Sequence, residues 1–366
     1  MDFTLGEELE AVQELARQIF GDHATHERLR TVEAGPGRID ETLWRELADA
    51  GLLGVALPED VGGAGLGVAA LCVLLEEQGR HVAPVPVWPT LVAALALAAY
   101  GTSAQWEELL PGVADGSRRL TVALEEFGPH DPAAPRCTAV VDGDGWRLTG
   151  VKAAVPAITG AGHVLVSASG EEGPGLFLVD AGADGLAWER TETTSRDLAG
   201  NLTLDRAPAQ ALEAGALGWT LDLARIALAA LQVGVASGAL GLAVSYLRER
   251  EQFGRPLGSF QAVQHQLADS HIEIEATRVC LWQAVSSAAT GEPVTRAALV
   301  AKWWADEGGL NVVHRIQHVH GGIGVDVDYP VHRYFLWGKQ ISGTLGGASA
   351  DLDRLGALLA EEAAAS

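Results

Sequence analysis

The chain is 366 residues long and carries 48 Asp and Glu against 25 Lys and Arg, a formal net charge of −23. So large an acidic surplus repels phosphate backbones and anionic headgroups, which sets nucleic acids and membrane surfaces aside as partners. A hydrophobic share of 48% excludes a disordered chain, and the length allows two or three domains with sizeable cores.

The first third reads as helices. Asp40 is a good N-cap, because its carboxylate accepts from the free N–H groups of a first turn. Leu43, Trp44, Leu47 and Ala48 then share one helical face, and Gly51 is placed to end that helix. The Gly- and Pro-rich run from Leu57 to Gly67 is expected to be irregular. A helix follows over about Val68–Gly79, Pro84, Pro86 and Pro89 mark a break, and a helical stretch is expected over about Leu91–Leu120. The middle is richer in β-formers, with short runs at Thr121–Leu124, Cys137–Val141, Trp146–Thr149, His163–Ser167, Gly175–Val179 and Leu186–Glu189. Asp142-Gly143-Asp144-Gly145 between two of these runs is a turn signal, so the region is expected to be an antiparallel β domain. The last third is helical again, with a long Ala-rich helix at Leu217–Arg250, two more at Gly258–Thr290 and Thr295–Gly309, and one at about Ala348–Ala364. Apolar residues on most faces of the first mark it as buried, and four such helices make a bundle. The expected organisation is α+β: a helical domain over 1–120, a β-barrel-like domain over 121–212 and a helical bundle over 213–366.

Cys72, Cys137 and Cys280 are too dispersed for a disulfide framework or a CxxC metal site. The N-terminal run MDFTLGEELEAVQELARQIF lacks the positive flank and apolar stretch of a secretion signal, and Val85–Tyr100 is too short to span a bilayer. A cytoplasmic protein is expected.

Two segments stand out chemically. Tyr246–Gln261 combines a helix end, Arg250, the aromatic residues Phe253 and Phe260, and Gly254, which lets backbone approach a ligand. The planar fork of Arg suits a pyrophosphate; an ordinary helix corner with an ion pair has the same composition. In the second segment His314 and His318 have the i, i+4 spacing of a zinc site, but no HExxH glutamate or third ligand accompanies them, so no metal is expected. Gly321-Gly322 reads as a helix end that also permits close approach of a cofactor. Trp303, Trp304 and Trp337 suit either a subunit interface or the chain's own core.

These motifs, in order, resemble the acyl-CoA dehydrogenases. Arg250-x-Gln252-Phe253-Gly254-x-Pro256-Leu257 with Phe260-Gln261, then His320-Gly321-Gly322-Ile323-Gly324 before Tyr329-Pro330 and Arg333, match the C-terminal half, while Asp49-Ala50-Gly51-Leu52-Leu53 and Leu57-Pro58 with Gly62-Gly63-x-Gly65 match the N-terminal half. The resemblance implies FAD, oxidation of an acyl-CoA thioester to the 2,3-enoyl form, and an electron-transfer flavoprotein as acceptor. It also implies a glutamate base, which this chain lacks: Gly346 and Ala224 stand at the two positions where members of the family place it. The family's Thr-Glu-Pro…Gly-Ser-Asp stretch reads Glu125-Glu126-Phe127…Pro129-His130-Asp131, and its Trp-x-Thr after Gly150-Val151-Lys152 reads Ala153-Ala154-Val155. Neither Gly nor Ala takes a proton, so no catalytic residue is assigned.

What the resemblance retains is the set that, in this family, reaches the pyrophosphate and adenosine of a neighbour's FAD: Arg250, Gln252, Phe253, Leu257, Phe260, His318 (where Gln is usual), Gly321 and Gly322, with Arg225 as a substrate contact. The pattern is similar to base-less subunits of α2β2 dehydrogenases acting on steroid side chains. The expectation is therefore a glutamate-lacking subunit that shares FAD with a homologous, glutamate-bearing partner. Two alternatives are a self-sufficient homotetramer with a displaced base at Glu125, Glu126 or Asp351, and a non-enzymatic scaffold or acyl-ligand binding protein.

Overall fold

The computed structural model describes residues 5–365, so Met1–Thr4 of the N-terminal run and the C-terminal Ser366 lie outside the described residues. Six helices open the chain: α1 Glu7–His23, α2 His26–Ala34, α3 Glu41–Asp49, α4 Gly67–Arg80, α5 Val87–Tyr100 and α6 Ser103–Ala114. Asp40 caps α3, its Oδ1 accepting from the N–H groups of Thr42 and Leu43 at 3.1 Å each. The same carboxylate binds Arg28 at 2.6 Å, which ties α2 to α3. The helix expected over 91–120 is two helices and the start of a strand. Pro86 precedes α5 and Pro89 lies in its first turn, where a missing N–H costs nothing, so the prolines begin this helix rather than interrupt it.

Seven strands follow: β1 Arg119–Ala123, β2 Thr138–Asp142, β3 Gly145–Pro156, β4 Ala161–Gly170, β5 Gly173–Asp180, β6 Leu186–Glu192 and β7 Leu198–Ala211. The Asp142–Gly145 turn joins β2 to β3, with Gly143 at φ +63°. Strands β4, β5, β7, β3 and β2 pair in a ring, β1 adds to β4 and β6 to β7. The β1–β4 pair is parallel, as is the single β2–β4 contact, so the sheet is mixed rather than wholly antiparallel. Strand β7 has no counterpart among the expected runs. Its Asn201, Asp205, Arg206 and Pro208 dilute the β-former signal, yet it is the hub that pairs with β3, β5 and β6.

The C-terminal part consists of α7 Ala216–Glu249, the short strands β8 Glu251–Gln252 and β9 Arg255–Pro256, α8 Gln261–Thr290, α9 Thr295–Val319, α10 Val331–Gly343 and α11 Gly347–Ala365. Helix α7 is long and apolar enough to cross a membrane by length and composition, but 72% of its most apolar window is buried against its neighbours. Its glycines let α4 approach: a Cβ on Gly234 would lie 2.0 Å from the Glu76 carbonyl oxygen. Helix α9 does not stop at Gly309. That glycine is packed, not terminal, since a Cβ there would lie 2.4 Å from the Gln232 side chain of α7. One apolar core joins the N- and C-terminal helices and includes Trp337, while a second fills the ring of strands. Trp303 and Trp304 are half-buried and meet edge to face, 5.2 Å between centroids.

Candidate functional site

A cleft lies where the three parts of the chain meet. It encloses about 1040 Å³ of space, part of it open to solvent. The loop before α5 supplies Pro84 and Val85, and α5 itself Trp88; β1 and the following turn supply Val122, Leu124 and Glu125; the α7 face supplies Leu228 and Leu231, and α10 Trp337. The wall is mostly apolar because each contributing element turns a core-type face toward it.

Neither glutamate position of the family offers a base here. Ala224 is fully buried in α7. Gly346 follows Leu345, which has φ +67°, and itself has φ +109° in the turn between α10 and α11. A Cβ on Gly346 would lie 3.0 Å from the Ala350 Cβ and 3.2 Å from Arg354 Nη2, so the turn is shaped around a missing side chain. Of the three displaced carboxylates, Glu126 is spoken for. It takes Lys152 Nζ at 2.8 Å and the N–H groups of Arg136 and Cys137, and although burial pushes its pKa up, the Lys152 hydrogen bond and these donors bring it to about 2. Asp351 is buried beside Arg354, 3.3 Å away, and lines no part of the cleft. Glu125 does line it, with Oε1 accepting from the Leu345 N–H at 2.9 Å, and burial raises its pKa. Arg225, expected to touch substrate, is buried away from the cleft wall and pairs with Asp222 at 2.8 Å. Asp222 also accepts from Thr295 Oγ1 at 2.6 Å.

The second cluster lies at the far end of α7. Arg250 ends that helix, and Glu251–Pro256 forms a β8–β9 hairpin finger whose turn residues Phe253 and Gly254 have φ +55° and +76°. The Leu257 N–H closes it on the Arg250 carbonyl oxygen at 2.8 Å. Phe253 is 92% exposed at the tip. Arg255 lies over the Phe260 ring, 4.0 Å from its centroid, and Phe260 meets Phe253 edge to face. Gln252 and Arg250 are exposed, and Arg250 makes no ion pair with any described residue. The helix corner held by an ion pair is therefore not what this segment forms.

Gly321 and Gly322 follow the end of α9, with open space where either Cβ would lie. Tyr246, one turn before Arg250, stacks on His320 at 4.8 Å and both contact Tyr329, which brings the finger and the Gly-Gly turn side by side. Tyr246 and His320 are the residues sequence reasoning passed over as glue. Their signal was the i, i+4 step from Tyr246 to Arg250 and the direct neighbour of Gly321. His314 and His318 are exposed on α9, and no three His, Cys, Asp or Glu side chains converge on a metal position among the described residues. None of Arg250, Gln252, Phe253, Leu257, Phe260, His318, Gly321 and Gly322 lines the cleft.

Residues 6–117 match the acyl-CoA dehydrogenase N-terminal domain and residues 215–350 match the C-terminal domain of the same enzymes. The chain belongs to the acyl-CoA dehydrogenase family. It is 38% identical to acyl-CoA dehydrogenase FadE27 of Mycobacterium tuberculosis over 99% of each chain. It superposes on a variant of the Tcur3481-Tcur3483 steroid ACAD with a TM-score of 0.97 and 77% identity, covering 99% of this chain and 100% of that one. It also superposes on the ChsE4-ChsE5 complex from Mycobacterium tuberculosis with a TM-score of 0.94 and 38% identity over 99% of each chain.

Acyl-CoA dehydrogenases use FAD, and the two clusters answer differently when tested for it. The cleft does not fit a flavin ring. Its Ala153 N–H is used by the Glu125 carbonyl oxygen at 2.9 Å, its Ala154 N–H by Asn201 Oδ1 at 3.1 Å, and no aromatic or hydroxyl residue stands at 153–155. The finger and the Gly-Gly turn do fit a polyanion. They combine an unpaired guanidinium, an exposed aromatic ring and approachable backbone.

Proposed function

We propose that this chain is the glutamate-lacking subunit of a heteromeric acyl-CoA dehydrogenase that forms a 2,3-enoyl-CoA, with a steroid-side-chain thioester as the substrate. The observation that carries the reading is the separation of the two clusters. Every retained FAD-type residue lies outside the chain's own cleft, and no glutamate stands at either base position. The partner is a homologous chain bearing the glutamate, in an α2β2 assembly, as the relatives' names of a two-component complex and a steroid substrate suggest. Bound FAD supplies the two-electron acceptor chemistry of the oxidation, and the electrons pass on to an electron-transferring flavoprotein in the cytoplasm.

This chain's own part is binding and orientation. Arg250 neutralises and orients a phosphate through its fork, Phe253 covers the neighbouring group, and the exposed Gly321-Gly322 backbone lets the phosphate end approach closely. Gln252 and His318 add hydrogen bonds at the rim, while Leu257 and Phe260 hold the finger's base. Co-expression with a glutamate-bearing homologue, followed by purification of the complex, tests this. Replacing Arg250 with Ala is expected to lower FAD affinity by roughly 1.5–3 kcal/mol, the worth of a hydrogen bond to a charged group, with the assembly intact. Flavin content and turnover unchanged in Arg250→Ala would overturn the reading.

The displaced-base alternative retains one observation in its favour: the Glu125 carboxyl in the cleft with its raised pKa. Turnover of an acyl-CoA by the chain purified alone, abolished by Glu125→Gln, would establish it.

A further inference from the structure

We propose that His26 is an acid-released latch: as a neutral ring it ties α2 to α10 beside the cleft, and its protonation frees α2 and the loop that follows it. The inference uses neither the finger nor FAD, so it is independent of the subunit role.

Arg333 of α10 is only 2% exposed, and its whole fork is engaged. Nε and Nη2 donate to the Glu33 carboxylate of α2 at 2.6 and 2.9 Å, and Nη1 lies 2.8 Å from His26 Nδ1. A guanidinium only donates, so Nδ1 must present its lone pair and the ring proton sits on Nε2. Nε2 is buried, with no more than a weak contact to the Asp328 backbone. A second proton would set one N–H against another and place a cation directly beside Arg333.

The surroundings oppose that proton. His26 is the first residue of α2, where the helix dipole already adds positive charge. Arg30 of α2 pairs with Asp328 at 2.8 Å, and Arg196 from the β6–β7 loop reaches Glu33 at 3.4 Å. His332 of α10 lies near the same Arg333, Arg196 and Glu33; its Nδ1 donates to the Tyr329 carbonyl oxygen at 2.6 Å, and burial lowers its pKa. Glu33 favours a charged His26, but Arg333 and Arg196 already draw on it. Burial, then Arg333 and Arg30, hold the His26 pKa below its ordinary 6.5. The folded chain binds this proton less readily than the unfolded chain does. The tie is therefore complete above 6.5 and is lost as pH falls from there through the lower folded value.

Release reaches the cleft because of what α2 and α10 carry. Gly37 and Arg38, in the loop after α2, line the cleft, as do Trp337, Gln340 and Ile341 of α10. Helix α2 buries only Leu29 and Val32 and makes no extensive backbone contact with another element, so side-chain ties supply much of its anchorage.

Hydrogen exchange of the full chain, read by mass spectrometry from about pH 7.5 to about pH 5, the range in which histidine titrates, and corrected for intrinsic rates, tests the latch. Protection of the peptide His26–Ala34 is expected to fall below 6.5, by at most about tenfold per pH unit, the limit for one proton, while α7 keeps its protection. His26→Asn, whose Oδ1 takes the place of Nδ1 and accepts from Arg333 without titrating, should hold α2 across the whole range. The same fall in His26→Asn, no fall in the unmodified chain, or an equal loss over α7 would each overturn the proposal. If His26→Asn does not fold, the ring titration of His26 followed by NMR on the unmodified chain decides. Exchange over α2 that tracks a His26 titration below 6.5 supports the latch, and any other outcome overturns it.

Discussion

At Gly346 the absence of a base is built into the backbone. With φ +109° and neighbours about to touch an added Cβ, the position resists any L side chain, so restoring the family's glutamate is more than a change of one functional group. Gly346→Glu is expected to destabilise the chain by about 1–3 kcal/mol, the usual cost of a side chain forced into such a conformation, and to yield no turnover by the chain alone. Thermal unfolding and an acyl-CoA assay check the two halves of that statement. Gly346 was legible as a missing glutamate because proton transfer needs a titratable group. Its positive φ was not, since the turn's shape comes from Arg354 holding the Leu345 carbonyl oxygen at 2.9 Å and Glu125 holding the Leu345 N–H. Arg225 stays off the cleft wall for a related reason. Its sequence position sits beside Ala224, but the helix turns its guanidinium toward Asp222.

Among the elements, β3 carries a buried ion pair. Lys152 is fully buried and reaches both Glu126 at 2.8 Å and Ser167 Oγ at 2.9 Å, linking β3 to β4 and to the turn after β1. Both partners' pKa values fall, with opposite consequences for their charges. Burial holds Lys152 below its ordinary value, whereas Glu126, with two backbone donors besides, stays ionised down to about 2 and is the better held of the two. Lys152→Met removes the buried partner of Glu126 and leaves it the exposed Arg136 guanidinium at 3.2 Å and its backbone donors, and is expected to cost about 1–3 kcal/mol. The pH dependence follows from the depressed Glu126 value. The stabilisation is complete above the ordinary 4.5 and is lost as pH falls from there through about 2, so the gap between unmodified and variant chains narrows over that window. Denaturant titrations at neutral pH and at several points below 4.5 measure it. The elements themselves were largely readable: α3 from its cap and apolar face, α7 from its long, Ala-rich apolar run, the β2–β3 hairpin from its turn. Strand β7 and helix α10 were not, because their polar residues are satisfied by pairing and packing with distant segments such as β3, β5, α7 and α9.

Over the whole molecule, the acidic surface and the exposed Arg250 finger form a contrast of charge. Arg248, Arg250 and Arg255 outnumber the exposed Glu249 and Glu251 among them on an otherwise strongly acidic chain, and no described residue forms an ion pair with these arginines. Placing the positive charge there favours an incoming polyanion at one locus. The cleft by contrast has no aromatic or hydroxyl residue at 153–155, and its Ala153 and Ala154 N–H groups are already taken. The chain purified by itself is therefore expected to be colourless and inactive, and to acquire FAD absorbance only when copurified with a glutamate-bearing partner. Absorbance near the flavin bands, measured with and without the partner, distinguishes the outcomes.

By itself the sequence determined the family, the helical–β–helical order of the three parts, the missing glutamates and the Arg250-to-Gly322 motif set, because these depend on residue type and local spacing. Only the tertiary structure decided that Tyr246, His320 and Tyr329 draw the two motifs together and that the set lies outside the chain's own cleft. Those are contacts between residues distant in the chain, and their geometry is set by how α7 packs against α4, α9 and the sheet, which no local pattern encodes.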